Sequence, residues 1–278
     1  MRSIPLLLRH HLRSCRSDLR LWASLLIGTA MCVSPIHNYL SFAEVSASTH
    51  HVLEPFILIG STVTQFTRIV LGWLIAVLGA PFISERTTYE ILRVGRKRYL
   101  TERIYFIILL SMMYLIGITA ATCLLGLIRG NTIWVNEWSP AMRMLAERQP
   151  AFAITTFKLH FPYPHYINTL SPYAAASLTL LLNWGYLTIL GLVALLINSF
   201  VKPVVGVIAA FAVHIAGYLI YTNAYLGPPQ QASLLVCAMP AYYFGNGDMK
   251  LYPTLTAYAA IILCIALTIR GLHRRFNP

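Results

Sequence analysis

Charge is scarce in this 278-residue chain: Asp, Glu, Lys and Arg make up 11% of it, and only 9 residues are acidic. That excludes an ordinary soluble globular protein, in which about 25% of residues are charged. Cysteine is sparse as well. The five, Cys15, Cys32, Cys123, Cys237 and Cys264, are odd in number, widely spaced and without a CxxC pair, so a buried apolar role is expected rather than a disulfide framework or a metal site. No G-x-x-x-x-G-K-[ST] run supplies a nucleotide-binding loop. Neither H-E-x-x-H nor G-x-S-x-G is present, and no long apolar run contains an acid that could act as base or nucleophile, which argues against an intramembrane enzyme.

Apolar residues are abundant, at 57% with a mean hydropathy of +0.64. A hydrocarbon core needs about 20 apolar residues per helical crossing, and in lipid the helix satisfies its own backbone. Six runs meet that need: Leu21 to Leu40, Pro55 to Ile83, Ile104 to Ile128, Tyr173 to Asn198, Val204 to Thr222 and Thr254 to Ile269. No repeat, low-complexity tract or linker separates them. The expectation is an all-α integral membrane protein, a six-transmembrane-helix bundle forming one domain over residues 1–278.

Basic residues orient the bundle. Fifteen Lys and Arg fall before the first run, between Arg86 and Arg103, at Lys202 and from Arg270 onward, against four acids. The alternate loops hold Arg129, Arg143, Arg148, Lys158 and Lys250 against five acids, Glu54 among them. By the positive-inside rule both termini are cytoplasmic, as in a multi-pass plasma-membrane protein. The high pI then signals topology and affinity for membrane lipids, and excludes a nucleic-acid partner.

Ahead of the first run, Arg9, Arg13, Arg16 and Arg20 share one helical face and Leu8, Leu12, Cys15 and Leu19 the neighbouring one, the pattern of an interfacial helix over residues 1–20. Leu6 to Leu8 are too few for the core of a signal peptide.

The segment SERTTYEILRVGRKRYLTER, residues 84–103, is a charged island between two apolar runs. Ser84 suits an N-cap, Glu85 the helix start, Arg93 its end and Gly95 a stop. Arg86, Glu90 and Arg93 can pair along one side while Tyr89, Ile91 and Leu92 form an apolar knob. Arg96, Lys97 and Arg98 follow as a basic cluster. A loop that only set topology would need the charges but not a capped helix with something to bury.

The long second run, the turn APFISERTTYEILRVGRKRYLTERIYF, the third run and NWGYLTILGLVALLINSFVKPVVGVIAAF together resemble a divergent branch of the ABC transporter permeases of the type-two exporter family, over most of the chain and in order. Members of that family begin the coupling helix with a Glu-Arg-Glu-like start and Gly-Thr; Glu85-Arg86 keeps the acid-base pair, and the glycine is absent. The resemblance implies an interfacial helix, a coupling helix at about 84–94, and short outer helices before the sixth span, at Gly227 to Tyr252. It further implies ABC ATPase subunits as partners, docked at Glu85, Arg86, Tyr89, Glu90, Leu92, Arg93, Gly95 and Arg96, and a second permease chain, identical or sister. No cofactor would bind directly, ATP and Mg being held by the ATPase. The implied function is export of an amphipathic substrate such as a peptide, lipid-like molecule or drug. The alternative is a non-transporting immunity or sensor component that binds a peptide or lipid at the outer face.

Within the apolar runs, Ser61, Gln65, Arg68, Gly72, Ile75 and Gly79 line one face of a continuous second helix, with Arg68 near mid-depth. A charge at such depth points either to a substrate pathway or to bonding between helices. Gly206, Ala210, His214, Gly217 and Tyr221 share a face of the fifth run, where small residues allow close approach and His214 can bond across it. His160 and His165 are separated by prolines that prevent a regular helix, which argues against a metal pair. Ser139-Pro140 predicts a short helix ending near Gln149 and Pro150.

Overall fold

The computed structural model describes residues 18–78, 80, 95–148, 150–159, 161, 164–201, 203–223, 233–244 and 249–271. It is an all-α membrane-embedded bundle with five helices long and apolar enough to cross a membrane, or six if one sharply bent pair is counted as a single crossing. The long helices are α1 (Leu19–Val45), α4 (Arg96–Ile128), α8 (Pro172–Asn198), α9 (Pro203–Thr222) and α11 (Leu251–Gly271); α2 (Glu54–Gly60) and α3 (Val63–Ala76) form the bent pair. Large apolar side chains such as Leu26, Ile116, Ile208, Leu219 and Leu263 point outward, as they must where the solvent is lipid.

One face of the bundle carries the start of α1, the start of α4 and the end of α11, with Arg20, Lys97, Arg98 and Arg270; we call it the basic face. The opposite face is roofed. There the short helices α5 (Pro140–Arg143, continued as a π-helix over Met144–Arg148), α6 (Pro150–Phe157), α7 (Pro164–Thr169) and α10 (Leu234–Cys237) lie with a 3₁₀ turn at Pro240–Phe244. Aromatic contacts fasten this roof: Tyr166 meets Trp138, Phe161 and Phe244, and Phe42 of α1 meets Phe152 and Phe157 of α6. A two-residue parallel bridge, β1 (His50–His51) with β2 (Thr132–Ile133), ties the loop after α1 to the loop after α4.

Helix α8 is the central post. Of its most apolar stretch 61% is buried, against 17% for α11, and it packs on α9, α11, α4 and α2. The other broad interface is α1 on α3. They approach at Gly28 and Gly72, where a Cβ on Gly72 would strike the Tyr114 hydroxyl and the Gly28 Cα. The space left by the missing side chains admits Tyr114 of α4, whose hydroxyl donates to the Ile69 carbonyl at 2.8 Å. Three helices thus meet through two glycines and one phenol.

Three sequence expectations are corrected. The second run is not one helix from Pro55 to Ile83: α2 ends at Gly60, α3 begins at Val63, and the two are bent by 89°. The break is tolerated because partners from neighbouring groups replace the lost helical bonds. Asn183 of α8 donates to the Gly60 carbonyl at 3.2 Å, and Thr62 donates back to the Leu58 carbonyl at 3.1 Å. Ser61 therefore does not share a helix face with Gln65, Arg68 and Gly72, and depth measured along a straight helix from Pro55 does not apply to Arg68. The third run starts at Arg96, not Ile104, so the basic cluster is the first turn of α4 after Gly95, which takes φ +86° as a glycine readily does. The first spanning helix begins at Leu19, N-capped by Asp18, so Leu19 and Arg20 belong to it. The Ser139 helix starts and ends where the sequence places it, capped by Ser139 and running as α5 and then a π-helix to Arg148. The interfacial helix up to residue 17 and the coupling helix at 84–94 lie outside the described residues.

The glycine crossing is directly testable. Gly72→Leu is expected to lower stability by about 1–3 kcal/mol through overpacking, read as thermal unfolding in detergent, while Ala30→Leu on the exposed side of α1 leaves the midpoint unchanged.

Candidate functional site

The polar interior of the bundle is built on α3. Four positions after its N-terminus, the Thr67 hydroxyl donates to the Val63 carbonyl at 2.9 Å, which uses its single proton. His214 of α9 lies with Nε2 at 3.1 Å from Thr67 Oγ1, so the imidazole must supply the proton of that bond. Nδ1 is then the acceptor, and the Tyr186 hydroxyl of α8 donates to it at 3.0 Å. A backbone carbonyl thereby fixes the tautomer of a buried histidine that joins three helices. Gly206, Ala210 and Gly217 are buried on the same side of α9, the close-approach face that the sequence pattern indicates. Gly206 leaves no room for a Cβ against the Ala194 carbonyl and Asn198.

Arg68 answers a different need. Pro35 lies inside α1 and has no N–H, so the carbonyl four residues before it, that of Met31, loses its helical donor. Arg68 Nη1 donates to the Met31 carbonyl at 2.9 Å. The arginine is half-buried between α1 and α3, and Gln65, on the same helix, is also half-buried with its Oε1 unpartnered. Among the sequence candidates in the membrane, the structure joins His214 to α3 through Thr67 and joins Arg68 to α1. It places no hydrogen bond between Gln65, Arg68 and His214.

At the basic face two side chains hold the turn that follows α3. Asn198, at the end of α8, donates to the Ala80 carbonyl at 2.6 Å while its Oδ1 accepts from the Gly206 N–H, in the first turn of α9, at 2.7 Å. Arg20 of α1 donates to the Leu78 carbonyl at 3.3 Å. The docking residues inferred from the sequence, Glu85, Arg86, Tyr89, Glu90, Leu92 and Arg93, lie outside the described residues beyond that turn. Of the remaining two, Gly95 caps α4 and Arg96 is its first residue. Further along α4, Glu102 and Arg103 are buried, with Nε at 3.5 Å from the carboxylate and the guanidinium stacked 4.6 Å from the Tyr99 ring centroid.

Sequence reasoning counted Glu54 only as a loop charge. The structure buries it completely at the start of α2, with both oxygens enclosed. Oε2 accepts from the Tyr39 hydroxyl at 2.7 Å, the His51 N–H at 2.6 Å and the Ser139 hydroxyl at 2.7 Å; Oε1 accepts from the Ser139 N–H at 2.9 Å. Ser139 in turn accepts from the Met142 N–H as the N-cap of α5. The carboxylate thus sits at two helix N-termini, its own and that of α5, where partial positive charge favours it. The nearby signal in sequence was the pairing of Glu54-Pro55 with Ser139-Pro140, two acceptor-proline helix starts.

Around it, burial holds the imidazoles of His50 and His51 below the ordinary value of 6.5, so both are neutral at pH 7. His51 Nδ1 accepts from the Leu53 N–H at 3.2 Å, and its ring stands edge-on to Tyr173 at 5.4 Å. Outside this knot Arg129 bridges Glu44 at 2.7 Å and contacts His37 Nδ1 at 2.7 Å. Among the described residues no group of three or more His, Cys, Asp or Glu could hold a metal ion. His165 is exposed and His160 lies outside the described residues. Of the cysteines, Cys32 and Cys237 are buried, Cys123 is half-buried and Cys264 faces outward, all four as free thiols.

Two substitutions test these assignments. Glu54→Ala abandons the donors of Tyr39, His51 and Ser139, at about 1–3 kcal/mol for each that stays buried and unpaired. It should lower the detergent unfolding midpoint sharply and raise hydrogen exchange at Ser139 to Met142, with Glu54→Gln intermediate. For Arg68, a double-mutant cycle is decisive: Arg68→Leu should cost more with Pro35 present than in Pro35→Ala, where the Met31 carbonyl regains a helical donor, with a coupling of about 1 kcal/mol.

No family model matches the chain, and neither a curated protein nor a solved structure is found to be similar to it.

Proposed function

We propose that the chain is the permease subunit of an ATP-driven ABC exporter, with six crossings, both termini in the cytoplasm and a plasma-membrane location. It moves an amphipathic substrate, a peptide, lipid-like molecule or drug, and relies on separate ATPase subunits that hold ATP and Mg. A second permease chain completes the unit. The resemblance of residues 84–103 and the flanking runs motivates the assignment.

One observation supports it most directly: the turn that leads into the proposed docking segment is bonded to two other helices. Arg20 holds Leu78 and Asn198 holds Ala80, so displacement of residues 81–95 by an ATPase would pull on α1 and, through Asn198 and Gly206, on both α8 and α9. Those helices continue into the His214 bridge and the α1–α3 contact, which gives the force a path to the membrane interior as motion of packed bodies. The basic face also carries Lys97 and Arg98, exposed beside the same segment.

The second reading is a non-transporting immunity or sensor component. It draws on the Glu54 tie, which links the roof helix α5 to α1 and α2 and could report a ligand at the roofed face.

Purification of the full chain in nanodiscs separates the two. The permease retains an ATPase, replacing residues 84–98 by a Gly-Ser linker releases it while membrane insertion persists, and Asn198→Ala keeps the ATPase but lowers substrate-stimulated hydrolysis about tenfold or more, the loss of roughly 1.4 kcal/mol of coupling. Retention of the ATPase after the linker replacement overturns the docking proposal, and no ATPase with the intact chain favours the sensor.

A further inference from the structure

A cleft of about 550 Å³ lies between α4, α8 and α11. Its walls include Ile104, Ile108, Ala259 and Leu263, and its end at the basic face is formed by Thr101 and Arg270. The volume falls within the range of about 300–1,000 Å³ typical of small-molecule pockets. Ligand-sized, apolar along its length and charged at one end, it has the polarity of a lipid.

Among the described residues no acid compensates the charge at that end. Arg270 donates from Nε to the Thr101 hydroxyl at 3.2 Å, and no carboxylate among the described residues pairs with it. The nearest acid in sequence to Thr101, Glu102, is buried and turned to Arg103. Thr101 donates to the Lys97 carbonyl at 2.9 Å, which places the exposed Lys97 and Arg98 one turn below the mouth. The cleft is absent from the polar network of α3 and from the Glu54 knot, so neither of those accounts for it.

The geometry points to a binding site for an anionic phospholipid of the leaflet at the basic face, its acyl chain along Ile104, Ile108 and Ala259 and its headgroup phosphate against Arg270, Lys97 and Arg98. Charge complementarity selects this occupant: a neutral apolar guest leaves three cations unused, and a free phosphate leaves the apolar walls uncovered. Thr101 positions the guanidinium by accepting from Nε, which directs the two terminal amino groups away from the hydroxyl. The site does not depend on the transport reading.

The test uses the full-length chain in nanodiscs of equal phosphatidylglycerol and phosphatidylcholine with identical tails, followed by native mass spectrometry of retained lipids. Phosphatidylglycerol is expected to be retained about fivefold over phosphatidylcholine. Arg270→Gln lowers the ratio, the triple replacement Lys97→Gln, Arg98→Gln and Arg270→Gln brings it to near unity, Arg270→Lys preserves it, and Ala266→Trp, which fills the cleft from α11, removes the retained lipid. Unchanged thermal unfolding of Arg270→Gln keeps the comparison free of misfolding. Equal retention of the two lipids by the unmodified chain overturns the proposal. Full retention in Ala266→Trp does so too, as does conversion of a dimer to a monomer by that variant with no change in lipid, which would assign the cleft to a second copy of the chain.

Discussion

A backbone group released from a helix within lipid has no water to bond, and the arrangement of this bundle follows from where its helices release them. Pro35 frees the Met31 carbonyl, and Arg68 comes from α3 to meet it. The break between α2 and α3 frees the Gly60 carbonyl, and Asn183 comes from α8. In each case the polar side chain sits on a different helix from the defect. The defects therefore bind helices together: α1 to α3 at one, the α2–α3 bend to α8 at the other. Removing the defect removes the reason for the contact, which is why an arginine within an apolar run need not mark a substrate path.

The same economy of space governs packing. Where α1 crosses α3, Gly28 and Gly72 clear the room that the Tyr114 ring occupies, and the phenol uses it to reach the Ile69 carbonyl. Where α9 meets the end of α8, Gly206 lies against the Ala194 carbonyl and is held by Asn198. Close approach and hydrogen bonding are one event at both crossings, since the carbonyl can be reached only where the side chains are small. At these two crossings the polar side chain is found beside a glycine.

Much of the spanning architecture was legible because hydropathy and length report burial in lipid directly. The fourth and fifth runs were located to within a residue, and the His214 face was read from small residues at helical spacing. The break at Ser61-Thr62 was not legible, since both residues are small and apolar runs continue on either side; the partner of the freed Gly60 carbonyl is Asn183, more than a hundred residues away. Glu54 was hidden for a related reason. In sequence it looks like a loop acid at the edge of a span, and its burial depends on Ser139 and Tyr39, supplied by a different loop and a different helix. Helical periodicity carries local information, whereas both features arise from long-range pairs.

Helix α8 brings these themes together because its two sides serve different parts of the molecule. Asn183 and Tyr186 face α2 and α9 and complete the polar interior. Trp184, Gly185 and Thr188 face α4 and α11 and line the cleft, where Trp184 donates to the Ile108 carbonyl and Thr188 shares a hydrogen bond with Ser111. The residues alternate along a single helix, so rotation of α8 cannot alter one side and leave the other unchanged. Its far end is Asn198, the same residue that grips the turn before the basic segment. Between its ends, one face of α8 carries the His214 bridge and the other forms a wall of the apolar, cation-mouthed cleft. One helix thus joins the turn after α3 to the polar interior on one face and to the cleft on the other.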